Sequence, residues 1–302
     1  MIQSDQGKIS TVVVSTALGA DGRGIFPYSL LPAYRRLARA ARETGTTVFS
    51  KSATRLKRRG NFIPFNPLTW KYIRRLPRMG LLNAYGLTND GVEVCAPAIR
   101  VSGDLGFRVI PNFYPEFAHG TEAALRETLE AVDIYRQSMG PYFWALELNY
   151  SCPNVPEAVS QNVTQGLKCA QAVKERHPSL FLIAKISICH PYEFAQELER
   201  SGVNAIHGIN SIPYEIIFPG GRSPLWQVGG GGVSGGPAWE AAYDYNRTLR
   251  QKASLPLIMG CGVRSGEDVQ RYLDIGADAV SFCTLALRDP REAESIIIHH
   301  PR

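Results

Sequence analysis

The feature that most constrains the fold is a regular alternation of short apolar runs with longer amphipathic segments. Eight apolar runs of strand length alternate with segments of helical periodicity through nearly the whole chain. Strands and helices that alternate in this way form βαβ units around a parallel sheet. Because eight such units close a barrel, the sequence predicts an α/β fold, a (β/α)8 TIM barrel.

The predicted elements leave no room for a second domain. The predicted strands are Thr11 to Leu18, Thr47 to Ser52, Phe107 to Asn112, Phe143 to Asn149, Leu180 to Ser187, Ala205 to Asn210, Pro256 to Gly260 and Ala279 to Phe282. The predicted helices lie near residues 31–45, 92–105, 121–139, 162–177, 191–201, 239–253, 266–275 and 290–299. Since barrels of this type often run to about 250 residues as one unit, residues 1–302 are predicted to form a single domain.

Two connections are much longer than the ~2–6 residues usual between a strand and its helix. One spans about residues 54–90, and the other is a glycine-rich stretch from Ser211 to Pro237. Both follow the C-terminal end of a predicted strand, which is the face where barrels build their sites. We therefore expect long insertions at this face, with residues 54–90 forming a lid over a covered pocket.

Bulk composition is that of an ordinary globular protein, with 44% hydrophobic and 20% charged residues. The longest apolar stretches are far shorter than the ~20 residues that span a bilayer. The N-terminus shows no basic region followed by an apolar run, as a secretory signal would. The sequence therefore predicts a cytoplasmic protein without a membrane partner.

A formal charge of +6 is concentrated in two basic clusters, Arg55 to Arg59 and Lys71 to Arg78. Nucleic-acid binding, a solvated basic loop and attraction of an anionic small molecule are three interpretations of such clusters. No nucleic-acid recognition motif accompanies them, so a solvated basic loop is favoured over nucleic-acid binding. We expect a small-molecule substrate and no nucleic-acid partner.

The sequence indicates neither a metal site nor a dinucleotide site. The six cysteines include no C-x-x-C pair and the six histidines no ligand spacing, so no metal is predicted. Gly230 to Gly235 matches the dinucleotide-binding motif G-x-G-x-x-G, but such a site also has an acidic residue ~20 positions further on. None occurs from Tyr245 through Gly266, so a phosphate loop of another kind or a flexible linker is the better interpretation.

The segment that points most specifically to a functional site is Glu147 to Asn154, where the fourth predicted strand ends. Pro153 cannot extend sheet pairing, so the chain must turn there and present two amides and a thiol at the mouth of the barrel. Amides donate and accept hydrogen bonds, which suits a ring with alternating C=O and N–H groups. The thiol of Cys152 can act as a base, whereas Cys169 and Cys189 are expected to be structural.

The stretch N-x-S-C-P-N at 149–154 resembles the active-site loop of the dihydroorotate dehydrogenase family, and other motifs agree with it in order along the chain. The resemblance covers roughly Ala17 to Leu287 and implies the same barrel and an FMN-dependent oxidoreductase. The agreeing motifs are Lys51-Ser52-Ala53-Thr54, Arg59-Gly60-Asn61, Asn83 to Leu87, Asn210-Ser211, Gly232 to Gly235, Arg264 to Asp268 and Gly276 to Ala279.

The resemblance implies an FMN site whose phosphate lies after the seventh and eighth strands. Lys185 matches a lysine that neutralises the pyrimidine edge of the flavin, where negative charge accumulates on reduction. A Schiff-base lysine is the competing functional interpretation of Lys185. The implied cofactor-binding residues are Ala17, Gly19, Lys51, Ser52, Asn149, Lys185, Gly235, Cys261, Gly262, Cys283 and Thr284. Cys261 and Cys283 depart from the glycines that are usual in soluble members of the family.

The resemblance also implies that dihydroorotate is oxidised to orotate, with Cys152 removing the C5 proton as hydride leaves C6 for flavin N5. Cysteine at this position is typical of the soluble class of the family, although Tyr85 is more like the serine-base class. A homodimer is expected from the family. The implied substrate-binding residues are Lys51, Asn83, Gly86, Leu87, Asn149, Asn154, Asn210 and Ser211.

Other functions stay open at this point. A neighbouring one is a flavoenzyme that acts on another dihydropyrimidine or on a cyclic imide. A different class is a flavin-free barrel that uses Lys185 or only binds a ligand. The physiological electron acceptor is open as well, because fumarate, a partner-bound nicotinamide and other oxidants all leave these motifs alike.

Overall fold

A computed structural model describes residues 1–151 and 163–300 and confirms all eight predicted barrel strands. The third is divided in two, and six further short strands occur outside the barrel. In the described residues the strands are β1 (Ile2–Gln3), β2 (Lys8–Ile9), β3 (Val12–Ser15), β4 (Thr47–Phe49), β5 (Ile73–Leu76), β6 (Gly80–Asn83), β7 (Arg108–Ile110), β8 (Asn112–Phe113), β9 (Ala145–Asn149), β10 (Phe181–Lys185), β11 (Ala205–Gly208), β12 (Ile212–Pro213), β13 (Gly232–Ser234), β14 (Leu257–Gly260) and β15 (Ala279–Phe282).

The main sheet closes into a barrel through its divided third strand. Its neighbours follow the order β7-β4-β3-β15-β14-β11-β10-β9-β8, and every pair is parallel. The two ends of this order, β7 and β8, are separated only by Pro111. Proline has no N–H for the ladder, so the strand is interrupted at that residue while its halves pair with β4 and β9. The predicted (β/α)8 barrel is therefore confirmed.

The predicted helices are confirmed to within two residues at each end, and two short helices are added. The described helices are α1 (Pro32–Thr44), α2 (Val92–Asp104), α3 (Thr121–Met139), α4 (Val163–Arg176), α5 (Glu193–Arg200), α6 (Tyr214–Ile217), α7 (Trp239–Lys252), α8 (Gly266–Asp274), α9 (Thr284–Arg288) and α10 (Pro290–His299). Local chemistry fixes several helix ends. Helix α1 ends before Gly45, whose φ of 65° is left-handed, and the side chains of Ser265 and Asp289 accept hydrogen bonds from backbone amides at the starts of α8 and α10.

No helix in the described part of the chain is long and apolar enough to cross a membrane.

The end of the barrel away from the strand C-termini is closed by the hairpin β1–β2. Ile2 and Ile9 of this hairpin pack into one buried cluster with Val13, Phe49 and Ile110 from the first three barrel strands. The hairpin was not predicted, because its strands are only two residues long. With this end packed, the open end of the barrel is the one that carries the insertions.

The two long insertions share one small sheet at the C-terminal face. The hairpin β5–β6 of the first insertion pairs through β6 with β13, and β13 pairs with β12, both from the second insertion. All three pairings are antiparallel. The lid predicted at residues 54–90 is thus tied directly to the glycine-rich stretch, and Gly236 N donates to the carbonyl of Arg78 in the hairpin turn.

Asn89 joins the two ends of the lid. Its Oδ1 accepts from the amides of Thr54 and Gly91 at 3.1 and 2.8 Å, and its Nδ2 donates to the Leu87 carbonyl at 2.7 Å and to the Thr54 hydroxyl at 2.9 Å. The residue is buried, so these groups have no ready access to water. One side chain therefore holds the first and last residues of a long loop together.

Replacement of Asn89 with alanine is expected to lower the free energy of unfolding by about 3 kcal/mol, because it leaves two buried backbone amides without an acceptor. Urea denaturation of the purified protein measures this. A suitable control is Asn66→Ala, which removes one bond to the amide of Leu68 and should cost about 1 kcal/mol or less. Equal losses in the two variants would show that Asn89 does not anchor the lid.

Candidate active site

A pocket at the carboxyl ends of the barrel strands brings together most of the residues that the sequence singled out. It lies between the strand ends and the lid sheet, and its walls include Ile73 and Leu81 from the hairpin β5–β6. The predicted site residues that line it are Lys51, Ser52, Asn83, Leu87, Asn149, Lys185, Asn210, Ser211, Cys261, Gly262, Cys283 and Thr284.

Four predicted residues do not line the pocket and lie in the chain next to residues that do. Ala17 is fully buried beside the lining residue Thr16, and the Gly19 carbonyl accepts from the amide of Lys51 at 2.9 Å. Gly86 and Gly235 have φ values of 76° and 74°, a conformation that favours glycine, and they precede or follow the lining residues Leu87 and Ser234. Two other predicted residues, Cys152 and Asn154, lie outside the described residues.

Asn149 organises the end of strand β9. Its Nδ2 donates to the hydroxyl of Ser52 at 2.9 Å, and its Oδ1 accepts from the amide and hydroxyl of Ser151 at 3.1 and 2.8 Å. Asn210 completes the group, with Nδ2 lying 3.1 Å from Ser151 Oγ. Residues from three strand ends are therefore fixed together one peptide bond before Cys152.

Lys51 and Tyr85 meet at the lid side of the pocket. Lys51 Nζ lies 3.1 Å from the centroid of the Tyr85 ring, a cation–π contact, and Phe62 packs on Tyr85 with centroids 4.8 Å apart. Burial raises the pKa of Tyr85, so the phenol stays neutral at physiological pH. On the same side, Asn83 Nδ2 donates to the Gly232 carbonyl at 3.2 Å, which links the pocket wall to β13.

The two cysteines that replace expected glycines stand near each other in the pocket. Cys261 has a φ of 67°, which is unusual for a residue with a side chain, and Cys283 Sγ accepts from the Thr16 hydroxyl at 3.3 Å. Burial raises the pKa of Cys261 to about 12 and raises that of Cys283. Both thiols are therefore uncharged and would not repel an anion.

The floor of the pocket holds a buried polar network that the sequence did not reveal. Glu147 accepts from the Asn112 amide and from His207 Nδ1, and His207 Nε2 lies 2.6 Å from Ser281 Oγ. His207 and Ser281 line the pocket, whereas Glu147 lies fully buried behind them. The only sequence signal for Glu147, His207 and Ser281 is that each is a polar residue inside an otherwise apolar strand.

Lys185 supplies positive charge to this floor. It is 6% exposed, and its Nζ donates to Ser15 Oγ at 3.3 Å. Burial alone would raise the pKa of Glu147, but the opposing effects of His207, Lys185 and two hydrogen bonds hold it below its usual range. Burial lowers the pKa of His207 against the opposite effect of Glu147, and the ring links the carboxylate at Nδ1 to the Ser281 hydroxyl at Nε2.

Together, the fold and the pocket define a class of protein: a (β/α)8-barrel enzyme whose site lies at the C-terminal face under a lid. The pocket carries a buried ammonium, three amide side chains and several hydroxyls around apolar walls. Such a set suits a flat ligand with ring carbonyls and N–H groups.

The chain belongs to the dihydroorotate dehydrogenase family, whose members are FMN-dependent oxidoreductases: the family model described as dihydroorotate dehydrogenase matches residues 36–299. Curated relatives agree. The dihydroorotate dehydrogenase B (NAD(+)) catalytic subunit of Oceanobacillus iheyensis is 29% identical over 259 residues, which cover 84% of this chain and 80% of the relative. The protein of the same name from Halalkalibacterium halodurans is 29% identical over 233 residues, which cover 74% and 72%. The resemblance inferred from the motifs is thereby confirmed.

A comparison of structures supports the fold independently of close sequence similarity. The crystal structure of ligand-free type DHODH from Eimeria tenella superposes with a TM-score of 0.72 at 16% identity and covers 96% of this chain and 83% of that one. At this identity the likeness concerns the barrel and its topology.

Proposed function

We propose that this protein binds FMN and oxidises dihydroorotate to orotate. The observation that carries the proposal is the convergence, in one pocket under the lid, of a buried Lys185 with the amides Asn83, Asn149 and Asn210. Family membership favours this function over a Schiff-base role for Lys185 or a ligand-binding barrel without flavin. Because all eight βα units belong to one barrel, we also propose that residues 1–302 form a single domain.

The donors in the pocket fit FMN. Ser52 and Asn149 offer side-chain hydrogen bonds, and Lys185 would face the pyrimidine edge, where negative charge would accumulate on reduction of a bound flavin. Two hydroxyls at the ends of β13 and β15 suit the phosphate, since Ser234 Oγ and Thr284 Oγ1 lie 2.8 Å apart. Gly262 lines the pocket and packs against the start of helix α7: its φ is 91°, and a Cβ there would lie 2.7 Å from Trp239 Cα.

The remaining polar groups would hold the substrate. Asn83, Asn149 and Asn210 project amides from the lid and from two strand ends, with Ser211 beside them, and Asn154 would add a further amide. Lys51 would lie at the border between substrate and flavin. Backbone N–H groups around Gly86 and Leu87 would receive the substrate carboxylate, which the positive field of the basic lid attracts.

Cys152 would act as the base. In the reaction the C5–H bond would break with its proton passing to the Cys152 thiolate, the C6–H bond would break with its electron pair as hydride, which a bound FMN would accept, and the C5=C6 double bond would form. The described chain supports this role up to Ser151, which Asn149 and Asn210 hold at the strand ends. The next residue along the chain is Cys152.

Anaerobic mixing tests cofactor and substrate together. The protein, reconstituted with FMN if necessary, is expected to show the visible absorbance of an oxidised flavin, which dihydroorotate bleaches. Dihydrouracil, which lacks the carboxylate, serves as the matched comparison and should bleach the flavin much more slowly. Protein that takes up no FMN, or a flavin that dihydroorotate leaves oxidised while another dihydropyrimidine reduces it, would contradict the proposal.

The same experiment addresses the electron acceptor. The curated relatives carry NAD(+) in their names, so NAD+ is one oxidant to add to the reduced protein, with fumarate and a quinone as the others. Fast return of the flavin absorbance with one of them identifies the acceptor class.

The homodimer expected from the family stays a prediction, which sedimentation of the purified protein checks.

A further inference from the structure

A layer of polar side chains lies inside the barrel beneath the pocket. Asn112, Glu147, His207 and Ser281 come from four different strands, and Lys185 stands next to His207 as its register partner in the pair β10–β11. All five residues are buried. The interior of such a barrel is normally filled with branched apolar side chains, and the function proposed above uses only Lys185 of this set. The other members of the layer therefore require an explanation of their own.

The hydrogen bonds of this layer lead from a buried carboxylate to the pocket. Both oxygens of Glu147 are engaged, one by the Asn112 amide and the other by His207 Nδ1. On the other side of the imidazole ring, Nε2 lies 2.6 Å from Ser281 Oγ, and both His207 and Ser281 line the pocket. A carboxylate at Nδ1 orients a histidine ring and stabilises its protonated form, as in the acid–histidine–serine arrangement of hydrolases.

The layer already holds one negative and one positive charge. The pKa of Glu147 lies below its usual range, so this group is a carboxylate, and the Lys185 ammonium contributes to that effect. Protonation of both nitrogens of His207 would add a second buried positive charge without a counterion, which is unfavourable. Burial and Lys185 accordingly lower the pKa of His207, whereas Glu147 raises it. Charge balance therefore favours a neutral ring while no further negative charge is present.

Negative charge added to the pocket would change this balance. The charged groups that act on His207 within residues 1–151 and 163–300 are Glu147 and Lys185, and the neutral side chains of Phe49 and Ser281 contact its ring from β4 and β15. An anion in the pocket would supply the counterion that an imidazolium lacks. Because Glu147 holds Nδ1 and the Ser281 hydroxyl can accept from Nε2, both protonated nitrogens would have a partner. An unperturbed imidazole has a pKa of ~6.5, so a modest change in the surrounding charge decides its protonation state.

We propose that His207 is a charge-compensating residue of this site, which takes up one proton at Nε2 when negative charge accumulates in the pocket and releases it when that charge leaves. The inference rests on the proposed function, in which the charge arises on reduction of bound FMN. The hydride from the substrate carries two electrons and one proton, and the proton on Nε2 is a second one that comes from water and returns to it. Lys185 then compensates charge permanently and His207 only in the reduced protein, with Glu147 as the positioning residue of the ring.

NMR of protein labelled with ¹⁵N in its histidines measures this proton directly, because a neutral ring has one bare nitrogen and an imidazolium has none. The FMN-loaded protein is studied oxidised and then reduced with dithionite, so that no substrate is needed. The His207 signals, identified by their loss in His207→Gln, should change at neutral pH from the neutral to the imidazolium pattern. His190 is buried against Phe194 and does not line the pocket, so its signals should stay unchanged and serve as the internal control.

Variants separate the charge of His207 from its place in the structure. Glutamine cannot carry the proton, so His207→Gln should shift the equilibrium of bound FMN toward the oxidised form about tenfold, which is a midpoint potential ~30 mV lower for a two-electron couple. His177→Gln is the matched control, since His177 is buried before the start of β10, beside Asp133, and should leave the potential unchanged. In Glu147→Gln the ring should stay neutral after reduction. Ser281→Ala, which removes only the partner of Nε2, should lower the potential less than His207→Gln does.

The outcomes distinguish this inference from the proposed function. If the protein binds FMN and the His207 ring has the same protonation state before and after reduction, the inference is wrong and the proposed function stands. The same holds if His207→Gln lowers the potential although no imidazolium forms in the unsubstituted protein, because the effect is then structural. Protein that takes up no FMN overturns the proposed function and this inference together.

Discussion

Replacement of Cys152 with alanine is expected to slow the anaerobic reduction of bound FMN by dihydroorotate by about 10²–10⁴-fold, the usual contribution of a positioned base. FMN affinity should not change, because Cys152 is not among the residues proposed to hold the flavin. Stopped-flow absorbance measures the rate, and a fluorescence titration measures the affinity. Cys189→Ala, at an exposed free thiol, is the matched control, and its bound FMN should be reduced at the original rate.

The pH dependence of the same rate identifies the thiol. An ordinary cysteine ionises near pH ~8.5, and the thiolate is the form that takes a proton. The reduction rate of the unsubstituted protein should therefore rise with pH toward that value and then level off. In Cys152→Ser this inflection should disappear and the rate should be much lower. An alanine variant that is reduced as fast as the unsubstituted protein would remove Cys152 from the chemistry.

The barrel could be predicted from sequence because its signal is repeated and local. Each βα unit carries its own apolar run and helical periodicity, so an error in one element would not change the fold. Pro111 and the two-residue strands of the hairpin β1–β2 escaped prediction, because they are too short to show a period. The pairing of β6 with β13 also escaped, since it joins residues about 150 positions apart and depends on how the closed barrel places the two insertions.

The pocket was only partly predictable. Residues in compact motifs, such as Asn149 and Lys185, could be assigned from resemblance, and the structure places both in the pocket. Tyr28 and His207 carry no motif. Their positions depend on which strand ends and loops meet around the pocket, which is decided by three-dimensional packing. His207 could have been suspected as a basic residue inside the apolar strand β11, but its partner Glu147 belongs to a different strand, two positions away in the sheet.

Lys185 links the pocket to the buried network beneath it. Its charge lowers the pKa of Glu147 behind the floor and also lowers those of Cys261 and Cys283, against a larger opposite effect of burial in each case. One ammonium therefore acts on a carboxylate on one side and on the proposed flavin site on the other. An ammonium so nearly removed from water acts more strongly than an exposed one, because little solvent screens it.

Lys185→Met is therefore expected to slow flavin reduction by dihydroorotate about 10²–10³-fold at saturating FMN, because negative charge on the ring loses the cation that stabilises it. The matched control is Lys174→Met: Lys174 Nζ donates to the carbonyls of Pro178 and Leu180, so its loss should lower stability without changing the rate. The rate is measured by stopped-flow absorbance and stability by urea denaturation of the apoproteins. A Lys185→Met protein that is reduced at the original rate once saturated with FMN would show that this ammonium does not face the flavin. If instead both lysine variants are slowed to the same extent, the loss reflects a general weakening of the barrel, and Lys185 has no special part in the reaction.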